Sequence, residues 1–367
     1  MKGNIKYLCL QATREGQASY AHVHEIIKGL RQREWEVDLF QPSYHKTTLI
    51  PNPLSRLWQF IKVQICLWFC TKNNVDVLYI RSHFAAFPSV AWAKINKIIT
   101  VLEINSPYED LFLAWPWTRY FRFLFITLMR VQMSWANHLI VVTPQLKSWA
   151  IDEVGNKSVD IIPNAANINI FHPKATTNLR LPSHYVIFFG ALSPWQGIET
   201  MLDAIKDPKW PTEVQLVLVG DGFERSRIEA AARSNSNIIY LGPKEYLEIP
   251  GIVTNAIAGL IPKNNKGERV KTGLSPLKLY ETLACGVPVI ITDFPGQGNL
   301  VQEGHCGLVI PPEDPEALAK AVAYLNAHPQ ERKEMGSKGR QLIEQEHSWD
   351  KRASVTEEVL LNLLNRQ

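Results

Sequence analysis

The sequence predicts an α/β protein made of two doubly wound, Rossmann-like domains facing a central cleft. Three observations lead there. Short runs rich in β-branched and aromatic residues alternate with helical patterns along the chain, the signature of parallel strands joined by crossover helices. The series breaks near Phe171, His172 and Pro173 and then starts again. At 367 residues the chain is also too long for one ordinary core, so two domains are expected.

In the first series the strands are 5–11, 35–40, 75–80, 98–104 and 138–143, with a helix from about Ala18 to Arg31 after a polar loop. Residues 162–167 read as the last turn before a linker. The second series places strands at 185–190, 214–220, 238–242, 256–261, 287–292 and 307–310, with helices at 198–205 and 315–325 among those between them. The domains are therefore 1–170 and 171–346. Ligands of such sheets sit beyond the carboxyl ends of the strands, so the loops there are where chemistry is sought.

Composition is ordinary for a globular protein, 46% hydrophobic and 20% charged. The net charge of +4 is weak support for a nucleic-acid partner, and none is expected; it suits an anionic substrate or an anionic membrane surface equally. Cys9, Cys66, Cys70, Cys285 and Cys306 form no C-x-x-C pair and read as buried thiols of a reducing compartment. The N-terminus turns polar too early for a secretory signal, and no run of about 18 uncharged apolar residues exists. A cytoplasmic protein is expected, with the inner face of the membrane as its alternative station.

The segment 273–286, GLSPLKLYETLACG, is the most informative. Ser275 reads as a helix N-cap, Pro276 as the first helical residue and Gly286 as the left-handed stop. The start of such a helix offers free N–H groups and a positive dipole end, a site for a diphosphate. Glu281 lies about 7.5 Å further along the axis, placed to accept hydrogen bonds from a sugar. Three more glycine-bearing loops follow strands, at 188–197, 218–232 and 293–299. Each alone is an ordinary tight turn. Four within one doubly wound unit point to a nucleotide grip.

On these motifs (FFGALSPWQGIETMLDAI, LVLVGDGFERSRIE, NIIYLG, SPLKLYETLACGVPVIIT and GLVIPPEDPEALAKAV) the second half resembles the family-4 retaining glycosyltransferases of the GT-B fold. The first half is similar through EGQASYAHVHEIIKGL, LYIRS, VLEINSP and LIVVTPQLK…VDIIPNAANINIFHP. The resemblance implies transfer of a sugar from a nucleoside-diphosphate donor to a saccharide or lipid-linked acceptor, with no metal and no further cofactor. It implies that Glu281 bonds the donor ribose, while Ser275 and the N–H of Leu277 hold the diphosphate. Gly16 would approach the phosphates from across the cleft, and Leu241 with Gly242 would edge the base. Gly190, Gln196 and Gly222 complete the donor loops. HSWDKRA (347–353) resembles the segment after which a last helix, within 347–367, crosses back to the first domain.

The chain departs from the family pattern beside the diphosphate. The first of the usual two glutamates falls on Gly273, and the usual Arg and Lys of the first loop fall on Ala191 and Gln196. The first-domain loop reads E-G-Q, one glycine short. Lys278 stands in the first turn, where the helix dipole gives a lysine nothing, so it is expected to contact phosphate; a solvated surface lysine is the alternative. Lys263, Lys266, Arg269 and Lys271 are further candidates. Trp195, Gly197 and SPLKLYE match a subset of the family with W-x-G and S-P-L-K-x-x-E motifs.

In the first domain, Glu103 and Asn105 follow a strand and are expected to face an acceptor, together with Arg81. Glu103, Lys278 and Glu281 are the candidate catalytic residues. The competing view of Glu103 is a strand-end carboxylate paired with Arg81. His22 and His24 lie two apart on different faces of a helix and form no metal spacing, and no D-x-D occurs. The stretches 54–70 and 115–135 interleave Arg and Lys with Trp, Phe and Tyr, as membrane-interface helices do, though helices covering the first sheet would also account for them. The rival functions are a nucleotide-sugar epimerase on this fold and a donor-binding scaffold without turnover.

Overall fold

The computed structural model describes residues 2–11, 13, 18–43, 52–70, 75–155, 157–266 and 270–366. Six parallel strands form the first sheet: β1 (Gly3–Cys9), β2 (Trp35–Phe40), β3 (Val77–Arg81), β4 (Ile99–Ile104), β5 (His138–Val141) and β6 (Val159–Ile161), in the order β2-β1-β3-β4-β5-β6. Every residue of central β4 is buried, as expected where helices cover both faces, whereas edge strand β2 alternates. The second sheet comprises β7 (Tyr185–Phe189), β8 (Gln215–Val219), β9 (Ile238–Tyr240), β10 (Gly259–Ile261), β11 (Val289–Thr292) and β12 (Gly307–Ile310), in the order β12-β11-β10-β7-β8-β9.

The two sheets are wound differently. The first reverses direction between β1 and β3, and the second between β7 and β10. A crevice opens at each reversal, because the loops on its two sides leave toward opposite faces. Strand β6 is an addition to the strands read from the sequence. Its three residues pair with β5 through Leu139 and Val159 at the sheet edge, too short a run to carry an alternating pattern. Strand β5 stops at Val141, because Thr143 turns to cap the helix Pro144–Val154, its Oγ1 accepting from the N–H of Leu146 at 3.1 Å.

The last helix, Trp349–Leu364, packs on the first domain although the chain reaches it from the second. Trp349, Val359 and Leu360 share one core with Ile5, Val77 and Ile27. The approach to the helix Ala18–Gln32 is close enough that a Cβ on Gly29 would lie 2.4 Å from that of Ala353. Backbone bonds from Ala166 to His347 (3.0 Å) and from Trp349 to Ala166 (3.1 Å) hold the crossing point. Among the described residues no helix is long and apolar enough to cross a membrane.

Candidate active site

A cavity of about 690 Å³ lies between the domains at both sheet reversals. Gln11 and Arg81 reach it from beyond β1 and β3, and Gly190 and Lys263 from beyond β7 and β10. That volume suits a ligand of nucleotide-sugar size. Arg81, Lys244, Lys263 and Lys278 line it against the acids Asp221 and Glu281, so the charge favours an anion.

One wall is the helix Leu277–Ala284. It begins later than the sequence suggests. Pro276 is the N-cap, in extended conformation (φ −73°, ψ 132°), and Ser275 is not a cap. The Ser275 hydroxyl instead accepts from the backbone N–H of Asn164 at 3.1 Å and lies 2.8 Å from the Tyr280 hydroxyl. The Asn164 amide donates to the Ser275 carbonyl at 2.5 Å, so this serine ties the two domains together at the cleft. First-turn N–H groups have no intrahelical partner, and Leu277 and Lys278, which carry them, line the cavity. The Leu277 side chain is anchored in the first-domain core.

Lys278 is no surface lysine. Its Nζ sits 3.7 Å from the centroid of the Phe188 ring and donates to Gln196 Oε1 at 3.3 Å. It also packs against Gly190, where a Cβ would lie 3.4 Å from Nζ. Burial pushes this ammonium down to about 7, with the Glu281 carboxylate opposing the fall. Glu281, one turn further on, is pushed up to about 7 by burial, against the pull of the Tyr246 hydroxyl and of Lys278. Both groups are buried at the cavity wall, poised between charged and neutral forms near neutrality.

The loops around them are braced by backbone contact. Gly220 has φ +137°, and a Cβ there would fall 1.9 Å from the carbonyl oxygen of Gly190, so the loops after β7 and β8 touch directly. Three donor-side expectations are corrected. Gly222 does not line the cavity; it packs under the Leu192 carbonyl and supports the loop that does. Leu241 and Gly242 do not line it either, because their backbone groups bond to Leu218 and Gly220 (3.0 and 2.9 Å), and Pro243 and Lys244 form that edge. Gly16 and Arg269 lie outside the described residues.

Gly273 explains why the family's first acid is missing. Its φ is +81°, and a Cβ would lie 2.8 Å from Gln145 Oε1 and 3.1 Å from Thr143. Thr143 Oγ1 donates to the neighbouring Thr272 carbonyl at 2.5 Å. The position is an interdomain contact whose left-handed backbone and crowding by Thr143 disfavour a glutamate.

On the opposite wall, Glu103 is corrected from acid or base to organiser. It is 2% exposed and lies behind the lining residues. Arg81 Nη1 and Asn105 Nδ2 donate to its Oε1 at 2.8 and 2.6 Å, and the Tyr79 hydroxyl donates to Oε2 at 2.8 Å. His22 Nε2 stands 2.9 Å from Oε1. Burial alone would raise its pKa; His22, Arg81 and Asn105 outweigh that and hold the carboxyl far below the usual carboxylate range. A group so fixed in its ionised form does not trade protons. It positions Arg81, Asn105 and His22, which do line the cleft. Of the two histidines that lie on different faces of the first helix, His22 is the one that lines the cleft. Its Nδ1 is 2.7 Å from Asn164 Oδ1, whose residue bonds Ser275, so a polar chain runs from Glu103 to the start of the helix Leu277–Ala284. Among the described residues no group of three His, Cys, Asp or Glu side chains is placed to hold a metal ion.

Comparison with known proteins gives a family for both halves. Residues 21–169 match the model described as Glycosyltransferase Family 4, and residues 173–342 match Glycosyl transferases group 1. Both halves thus match glycosyltransferase models, and the fold is GT-B. An uncharacterized glycosyltransferase of Methanocaldococcus jannaschii is 24% identical to it over 339 residues, 90% of each chain. Sucrose-phosphate synthase from Thermosynechococcus elongatus has the same fold, with a TM-score of 0.81 over 100% of both chains at 19% identity. HepE of Anabaena, solved in complex with UDP-glucose, reaches 0.74 over 98% of this glycosyltransferase and 100% of HepE, at 18% identity.

Proposed function

We propose that this glycosyltransferase moves a sugar, with retention of configuration and without a metal ion, from a nucleoside diphosphate to a hydroxyl of a saccharide or lipid-linked acceptor. The observation that carries the reading is the pairing of Lys278 and Glu281 on one face of the helix that opens at the cleft. The diphosphate lies at the helix start, within reach of the first-turn N–H groups and Lys278. The ribose extends toward Glu281. HepE, of the same fold, takes UDP-glucose, which supports a nucleotide-sugar donor.

As the sugar–phosphate bond breaks, negative charge grows on the leaving diphosphate. Stabilising it is the largest single contribution asked of the protein, and one well-placed donor is worth about 3–4 kcal/mol. The positions where the family resemblance would place Arg and Lys are neutral here, but Lys278 Nζ reaches the loop that holds both, touching Gln196 and Gly190. Lys278 on the helix supplies a cation at that loop. Across the cleft, Arg81 and Asn105, fixed by Glu103, orient the acceptor, and closure of the domains keeps water out.

A donor screen tests this. With radiolabelled UDP- and GDP-sugars and a lipid extract, nucleoside diphosphate should appear only when acceptor is present, and the product should keep the donor's anomeric configuration by NMR. Release without acceptor would favour an epimerase or hydrolase, and binding without turnover a scaffold. Glu281→Gln should weaken the donor in every case; unchanged affinity would remove the site assignment.

A further inference from the structure

The helix Pro53–Cys70 is apolar on two faces. Phe60, Val63 and Leu67 are buried in the first domain. Leu54, Leu57, Trp58, Ile61, Ile65 and Phe69 recur every three or four residues on a second stripe that faces solvent, with Trp58 61% and Phe69 68% exposed. A helix covering a sheet needs only the first of these faces.

A second element extends the surface. The turn Pro116–Phe121 and the helix Arg122–Trp135 expose Trp117, Tyr120 (88%), Phe121, Phe123 (84%) and Leu124. The Arg56 guanidinium lies 5.1 Å over the Trp115 ring and joins the two elements into one face. Neither Pro53–Cys70 nor Pro116–Trp135 contains an aspartate or glutamate, while both carry basic residues. Lys62 and Arg119 are exposed, and Arg122, also exposed, makes one long ion pair of 4.0 Å with Glu109 at the edge of the face. Single exposed apolar residues are ordinary in soluble proteins; a continuous aromatic stripe with charge of one sign is not.

We propose that this face docks on an anionic lipid bilayer, with its rings at headgroup level and Lys62, Arg119 and Arg122 against lipid phosphates. Charge selects the bilayer over a second copy of the chain, since two such faces together would oppose cation to cation with no acid between. The face adjoins the acceptor wall. Asn105 lines the cleft a few residues before the helix Glu109–Ala114, and Phe84, just after Arg81, packs edge-on against Phe125 of the docking helix at 4.8 Å. A lipid-anchored acceptor would therefore present its headgroup beside Arg81 and Asn105. That consequence rests on the transferase reading; the docking does not.

Sedimentation of the full chain with vesicles tests the docking without any turnover, so its failure is separable from failure of the proposed activity. The chain should pellet with phosphatidylglycerol vesicles, far less with phosphatidylcholine vesicles, and less as salt rises. Arg119→Ser with Arg122→Ser should weaken binding about thirtyfold, at about fivefold for each cation. Trp58→Ser, Trp117→Ser and Phe123→Ser together should abolish it while leaving the melting temperature and donor affinity unchanged. The proposal is overturned if neither vesicle binds, or if the variants bind like the parent. It is also overturned if the parent self-associates in solution and the triple variant does not, which would assign the face to a second copy.

Discussion

Raising the pH through about 7 should loosen the grip on the donor, because Lys278 gives up its proton there. Burial against Phe188 and Gln196 brings this ammonium down from the ordinary 10.5 to about 7. A bound diphosphate draws the proton back, so above that pH each binding event takes up one proton. Linkage then makes the dissociation constant rise about tenfold per pH unit on the alkaline side, until the lysine of the complex titrates in turn. On the acid side, Glu281 accepts ribose hydroxyls more strongly, and with both oxygens free, as a carboxylate, and burial has raised it to about 7. Affinity should fall again as the pH drops below that value. Isothermal titration calorimetry with an intact nucleotide sugar is the assay, since its diphosphate diester has no proton to gain in this range. Lys278→Met keeps the bulk and removes the charge. It should flatten the alkaline limb and cost about 2 kcal/mol near neutrality, roughly thirtyfold, the worth of one charge-assisted hydrogen bond. An affinity constant between about pH 6 and 9, or a Lys278→Met variant with the parent's alkaline limb, would refute the reasoning.

Two further outcomes follow from the geometry. Glu103→Gln leaves the Arg81 guanidinium without its counter-charge in a buried setting, and should destabilise by about 3–5 kcal/mol in urea unfolding. Donor affinity should change far less than stability does, because Glu103 reaches the helix Leu277–Ala284 only indirectly, through His22, Asn164 and Ser275. Gly273→Glu, which writes the family's first acid back in, should cost about 1–3 kcal/mol through its left-handed backbone and the crowding by Gln145 and Thr143. Turnover should not rise; a variant both stable and faster would show that the acid has room after all.

Much of the architecture was legible because its signals are local. A central strand such as Ile99–Ile104 is a continuous apolar run bounded by polar residues, and its burial on both faces follows from that. What the alternation did not contain is strand order, so the differing reversals of the two sheets, which position the cavity, came only from the structure. The phosphate helix was visible through Pro276 and Gly286, yet its cap was misplaced, because the hydroxyl of Ser275 is claimed by Asn164, 111 residues away. Glu103 shows the same limit. Tyr79 and Arg81 on the neighbouring strand, Asn105 just beyond its own strand and His22 from the first helix converge on it, and an acid with that many donors is an organiser rather than a proton carrier. Gly273 read as a loss; in the folded protein it is a contact.

The returning helix bears on the order in which the protein is made. Domains usually fold in sequence as they leave the ribosome, the first before the second. Here the first domain lacks Trp349, Val359 and Leu360 until the second has been synthesised, since those residues complete its core. Residues 1–170 must wait as an unfinished sheet, with the face beneath the helix Ala18–Gln32 open, while the second domain can close its own cores at once. A chain stopped before Trp349 would accordingly fail at its beginning rather than at its end, and limited proteolysis of nascent chains would find the first domain maturing last.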